Sequence, residues 1–198
     1  MKKQKIFIAT SNANKVREFR ELLEPRGYAV SSLLDLPAPF DIEENGTTFA
    51  ENAVLKAEGA CRKLGIPCLA DDSGLEIDAL NREPGIYSAR WLGHDTSYAY
   101  KNKVILERMQ GKKDRTCRYV CAIALAMPDA DTVVFQDTCE CTVAEHPAGS
   151  SGFGFDPIVY YGPLKMTMAE MSPEQKNAIS HRGKAMRKME AYLDAHQS

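Results

Sequence analysis

The 198-residue chain has no apolar run approaching the ~20 residues that a membrane span needs. Its amino terminus resembles no signal peptide either: Met1-Lys2-Lys3-Gln4-Lys5 leads into only Ile6-Phe7-Ile8-Ala9 before polar residues resume. Both absences lead to the expectation of a cytoplasmic protein with no membrane partner. The six cysteines include no C-x-x-C pair and the four histidines are scattered, which argues against a zinc site. Small buried hydrophobes are the reading for these thiols in a reducing compartment. Excess positive charge is missing too. With 25 basic and 27 acidic residues the formal charge is −2, which argues against a broad nucleic-acid-binding face but leaves room for a local anion pocket. There is no internal repeat, low-complexity tract or obvious linker. The expectation is one domain, 1–198, folded as two lobes around a cleft.

What is present alternates between strand and helix patterns. Residues 6–10 read as a strand, and a cap-rich turn then opens a helix over 15–24 with Val16, Phe19, Leu22 and Leu23 at helical spacing. Gly27 stops that helix before a strand over 28–33. Residues 34–46 hold prolines, several acids and no period, so they read as a loop. Thr47 or Thr48 caps a helix reaching Leu64, which Gly65 and Pro67 terminate. The apolar segment 66–70 reads as a buried strand ending in a polar turn at Asp71-Asp72-Ser73-Gly74, with a hairpin partner at 75–77. A turn at Pro84-Gly85, a helix over 96–109 with Tyr98, Ile105 and Met109 inward, and an antiparallel pair of strands over 116–126 and 132–143 follow. A glycine-rich stretch leads to a short strand over 157–161. Ser172, Pro173 and Gln175 then signal a capped helix that Gly183 kinks or splits after Arg182. The sum is an α/β fold, a mixed sheet with flanking helices.

Five constellations carry chemistry. Asp71 and Asp72 are like charges side by side, which need a cation or a donor network; an Asx turn is the structural alternative. Thr10-Ser11-Asn12-x-x-Lys15 sits where a strand becomes a helix, a place that attracts anions, although the glycines of G-x-x-x-x-G-K are missing and a plain cap reads equally from the same residues. Glu43-Glu44 lies in the irregular loop. Glu43 and Asp72 suit a hard cation such as Mg²⁺, which takes one or two carboxylates plus substrate oxygens, provided that the fold brings them together. Gly152-Phe153-Gly154-Phe155-Asp156-Pro157 either presents flat faces to a planar ring or plugs the core with its phenylalanines. Lys176, Ser180, His181 and Arg182 close the series. Arg182 either complements a helix dipole or acts as a donor-only probe of a purine six-position, which an oxo group satisfies and an amino group does not.

Taken in order, these segments resemble the inosine triphosphate pyrophosphatase family. The landmarks are Thr10-Ser11-Asn12-Ala13-Asn14-Lys15, Phe49-Ala50-Glu51-Asn52-Ala53-Val54-Leu55-Lys56-Ala57, Ala70-Asp71-Asp72-Ser73-Gly74, Pro84-Gly85-Ile86-Tyr87-Ser88-Ala89-Arg90, Gly152-Phe153-Gly154-Phe155-Asp156-Pro157 and Ser180-His181-Arg182. The resemblance implies an elongated two-lobed fold with a central nucleotide cleft, a homodimer, and Mg²⁺-dependent hydrolysis of ITP, dITP and XTP to monophosphate and diphosphate. By position, it assigns the triphosphate to Thr10, Asn12, Lys15 and Lys56, within the binding segment that also holds Ser11, Ala13 and Asn14. It gives the metal to Glu43 and Asp72, and makes Asp72 the base. It places Ser73 on the substrate, Phe153, Gly154 and Phe155 beside the purine, and Asp156, Lys176, His181 and Arg182 around it; Arg90 is a further phosphate candidate. Ser11 stands where the family has glycine, and Phe155 where tyrosine or tryptophan is frequent. Three rival readings are an aspartyl-phosphate phosphohydrolase, for which the D-x-D pattern is absent, a nucleotide sensor that binds without turnover, and a relative that acts on modified pyrimidines, which rests on fold grounds alone.

Overall fold

The computed structural model describes residues 4–196. Strand β1, Gln4–Ile8, comes first, and helix α1, Ala13–Leu23, buries Val16, Phe19 and Leu23. Strand β2, Tyr28–Ser32, lies parallel to β1. Helix α2, Phe49–Leu64, starts on Thr48, whose side chain accepts from the Glu51 amide, and ends on Gly65 at φ 66°, a left-handed conformation that favours glycine. Strand β3, Cys68–Ile77, then pairs parallel with β1. Helix α3 covers Tyr98–Arg108. Strands β4, Thr116–Met127, and β5, Ala130–Val143, meet at a two-residue turn, which makes them an antiparallel hairpin. The short strands β6, Val159–Tyr161, and β7, Met166–Thr167, continue antiparallel from β5. Helices α4, Pro173–Ile179, and α5, His181–His196, close the chain. The seven strands form one mixed sheet in the order β2-β1-β3-β4-β5-β6-β7.

Three expectations differ from what is observed. Asp71, Asp72, Ser73 and Gly74 form no turn, because β3 runs unbroken through them to Ile77. The backbone amide of Leu75 is satisfied by Ser88 Oγ at 2.9 Å, and almost every β3 side chain is buried, as in a strand covered on both faces. The C-terminal helix breaks at Ser180, before His181, and not at Gly183. Gly183 serves packing instead. A Cβ there would lie 2.0 Å from the Asn177 carbonyl, so its hydrogen allows the close approach of the two helices. In α3, Tyr98 is 38% exposed, whereas Lys101 is buried with its ammonium donating to the Ala89 carbonyl at 2.8 Å. Burial lowers the pKa of that lysine.

Backbone proximity divides the described residues into two compact units. The first comprises residues 4–72, 122–136 and 186–196, and the second 73–121 and 137–185. In the first, Ile6, Phe7 and Ile8 of β1 and Phe19 and Leu23 of α1 are at most 1% exposed. Each such side chain contributes about 1.5–3 kcal/mol on burial. In the second, Leu75, Ile77, Ile105, Met109, Tyr119 and Phe155 belong to one apolar cluster with Cys117, Cys139 and Cys141. All six cysteines are buried free thiols, and burial pushes those of Cys68 and Cys117 up to about 12.

Candidate active site

In the first unit, register brings the acids to the basic turn. Ile8 pairs with Leu69, and the Ala9 amide donates to the Leu69 carbonyl at 2.7 Å, so the turn after β1 runs beside Asp71 and Asp72. There, Lys15 Nζ lies 2.8 Å from Asp71 Oδ2, whose side chain has no solvent exposure. Asn12 caps α1, its Oδ1 accepting from the amides of Asn14 and Lys15 at 3.0 and 3.3 Å. Thr10 Oγ1 accepts from the Asn12 amide at 3.2 Å. The cap thus falls on the same residues as the turn read as an anion site, with Ser11, Asn12 and Ala13 exposed.

Lys56 is the hub of this group. Its ammonium donates to the Asp71 carbonyl at 2.8 Å and lies 3.2 Å from Glu44 Oε1 and 3.6 Å from Asp72 Oδ1. Burial alone would depress the Lys56 pKa, but the charges of Asp72, Asp71 and Glu44 outweigh it and the value is raised. The Asp72 pKa is raised too, which for a carboxyl disfavours the charged form. Burial pushes it up, Lys56 pulls it down, Glu44 pushes it up and Lys15 pulls it down, with a net rise. Of the two loop acids, Glu44 reaches Lys56, whereas Glu43, the acid expected at the metal, is exposed and makes no side-chain hydrogen bond or ion pair among the described residues. The ion pair with Lys56 turns the Glu44 side chain toward α2.

Among the described residues there is no group of three or more His, Cys, Asp or Glu side chains suited to a metal ion. Asp72 Oδ2, however, is buried without a hydrogen bond of normal geometry, and the Glu44 carboxylate bears on the same side chain. One or two carboxylates completed by substrate oxygens is the donor set that Mg²⁺ takes, so these residues fit it.

In the second unit, Asp156 organises the phenylalanine–glycine loop. Its buried carboxylate accepts from the Tyr119 hydroxyl at 3.0 Å, the Phe153 amide at 2.8 Å and Lys176 Nζ at 2.5 Å. Gly152 is required beneath it, since a Cβ would meet Asp156 Oδ2 at 2.1 Å. The two phenylalanines part company. Phe153 is 40% exposed with Lys176 Nζ 4.7 Å from its ring centroid, whereas Phe155 is 3% exposed, inside the apolar cluster and edge-on to Tyr98. Of the two, only Phe153 has an exposed ring; Phe155 is the core plug. The Gly154 carbonyl accepts from Asn102 Nδ2 at 3.2 Å. His181 stacks on Tyr119 with centroids 4.7 Å apart, and Arg182 Nη2 donates to Ser73 Oγ at 3.0 Å. Both are buried, and Arg90 lies over the Tyr87 ring.

Asp71, Glu44, Asn52, Tyr119 and Asn102 were not among the site residues read from sequence. Signals existed for some of them. Asn52 falls three positions after Phe49 on the inward stripe of α2, a polar residue among apolar ones. Tyr119 alternates with Cys117 and Cys121, and a buried phenol requires a partner.

The Ham1 family model matches residues 6–192. The chain belongs to the Ham1 family. It is 50% identical over 189 residues to a dITP/XTP pyrophosphatase of Geobacillus kaustophilus, covering 94% of this chain and 93% of the relative. The solved Ham1 protein of Staphylococcus aureus superposes with TM-score 0.92 at 41% identity, over 98% of this chain and 100% of that one. A HAM1 protein from Coxiella burnetii gives 0.91 at 38%, over 97% and 99%. Membership of the Ham1 family bears out the resemblance read from the ordered motifs.

Proposed function

We propose that this Ham1-family chain is a nucleoside triphosphate diphosphatase that hydrolyses ITP, dITP and XTP to the nucleoside monophosphate and diphosphate, clearing them from the nucleotide pool. The observation that carries the reading is the group around Lys56, where two lysines are held against the buried or half-buried acids Asp71, Asp72 and Glu44. Lys15, Lys56 and the turn at Thr10–Asn14 take the triphosphate; Arg90 is a further phosphate contact. Glu44 and Asp72 would hold Mg²⁺, which would offset charge on the phosphate oxygens. Asp72 orients a water toward the α-phosphorus and accepts its proton, and diphosphate leaves.

The base is assigned to the second group. Phe153 offers a ring for stacking, held from behind by the hydrogen bond that its backbone N–H donates to the Asp156 carboxylate and flanked by Lys176. Ser73 positions Arg182, whose donors suit a six-oxo purine and leave a six-amino group unmatched. His181 borders the same base. The protein is further proposed to be a cytoplasmic homodimer. The test is kcat/KM for ITP, XTP, ATP and GTP with Mg²⁺ and with excess EDTA. The expected result is diphosphate release from ITP and XTP about a hundredfold faster than from ATP, abolished by EDTA. Orthophosphate as the product, or equal use of ATP, would refute the assignment. Arg182→Ala should narrow the ITP-over-ATP ratio.

A further inference from the structure

Asn52 has no solvent exposure, yet it is a polar residue on the inward stripe of α2, one turn before Lys56. Its Oδ1 accepts from the Gly46 amide at 2.9 Å, tying the loop that carries Glu44 to the helix. Contact on this side is tight: a Cβ on Gly46 would lie 2.7 Å from Asn52 Oδ1 and 2.8 Å from the Glu51 Cβ. Its other end bears on Asp72. The Asn52 amide favours the ionised Asp72 carboxylate, although neither Asn52 Nδ2 nor Asp72 Oδ2 completes a hydrogen bond of normal geometry. One side chain therefore spans from the Glu44 loop to the mid-strand acid. A buried amide held in this way sets how the two carboxylates are presented, as outer partners do around metal ligands.

We propose that Asn52 is a positioning residue that fixes the Glu44 loop and the Asp72 carboxylate in one arrangement suited to a divalent cation. This rests on the metal role given above to those two acids. Asn52→Leu keeps the branched heavy-atom shape and removes both polar ends, while Gly46→Ala disturbs the same contact from the loop side and decides the matter if the leucine variant does not fold. Mn²⁺ binding is read by EPR on chain saturated with an α,β-imido analogue of ITP, beside the Mg²⁺ concentration that half-activates ITP hydrolysis and the melting temperature. Both variants should bind Mn²⁺ about tenfold or more weakly and need correspondingly more Mg²⁺, with kcat largely recovered at saturating metal. A lower melting temperature with unchanged Mn²⁺ affinity in both would show a merely structural role and overturn the proposal. So would a native chain that holds no Mn²⁺ beside the analogue. If the native chain holds Mn²⁺ but hydrolyses no triphosphate, the enzymatic reading fails, and the Mn²⁺ affinities of the two variants still decide the role of Asn52.

Discussion

Asp71 and Asp72 are neighbours in sequence with different duties. Successive side chains of a strand point to opposite faces, so Asp71 reaches Lys15 while Asp72 faces Lys56 and Glu44. Asp72→Asn should cut turnover by about 10²–10⁴ with nucleotide still bound, as measured by steady-state kinetics and calorimetry. The same change should raise the melting temperature at neutral pH. Because the folded pKa of Asp72 is raised, its stabilising contribution is full below the unfolded value of about 3.9 and is lost as pH rises through the folded value. The asparagine therefore relieves a cost at neutral pH, and the difference should vanish in acid. For activity the sign is reversed: the proposed mechanism needs ionised Asp72, so kcat/KM should fall as pH drops through the raised value. Lys56→Met removes the downward pull on Asp72 and should shift the acid limb to higher pH. A limb that stayed in place or moved lower would contradict this coupling.

Among the elements, the loop at 152–156 and the break at Ser180 show how far pattern reading goes. Glycines around Phe153 and Phe155 announce an unusual loop, yet spacing does not tell an exposed ring from a buried one. The bond from Asn102 to the Gly154 carbonyl and the edge contact of Tyr98 with Phe155 are tertiary, and they decide the matter. Phe155→Ala should cost about 3–5 kcal/mol of stability by denaturant titration. Phe153→Ala should change stability by only about 0.5 kcal/mol, but raise KM for ITP by about tenfold or more. The reverse pattern would reassign the two rings. Gly183 was legible as a special position, though for a different reason: the helix ends at Ser180, whose hydroxyl accepts from the Gly183 amide at 3.0 Å, and the glycine permits close packing. Gly183→Ala is expected to cost about 1–3 kcal/mol by overpacking against the Asn177 carbonyl.

For the whole molecule, helix caps and stops were legible because their chemistry is local. Thr48, Gly65 and the Ser172–Gln175 capping box stand where the sequence predicts them. The mixed sheet follows from alternating strand and helix patterns, but β7 is only two residues long and leaves no periodic trace. At the site, residue types were readable and directions were not: which acid of Glu43-Glu44 reaches Lys56 depends on how a loop without periodicity approaches α2. A homodimer should have twice the 22.0 kDa chain mass by light scattering, and a monomer at micromolar concentration would refute that part of the proposal. The central claim, water attack at the α-phosphorus, is tested by hydrolysing ITP in H₂¹⁸O with Mg²⁺ and weighing the products by mass spectrometry. One ¹⁸O is predicted in IMP and none in diphosphate; label in diphosphate or in orthophosphate would contradict it.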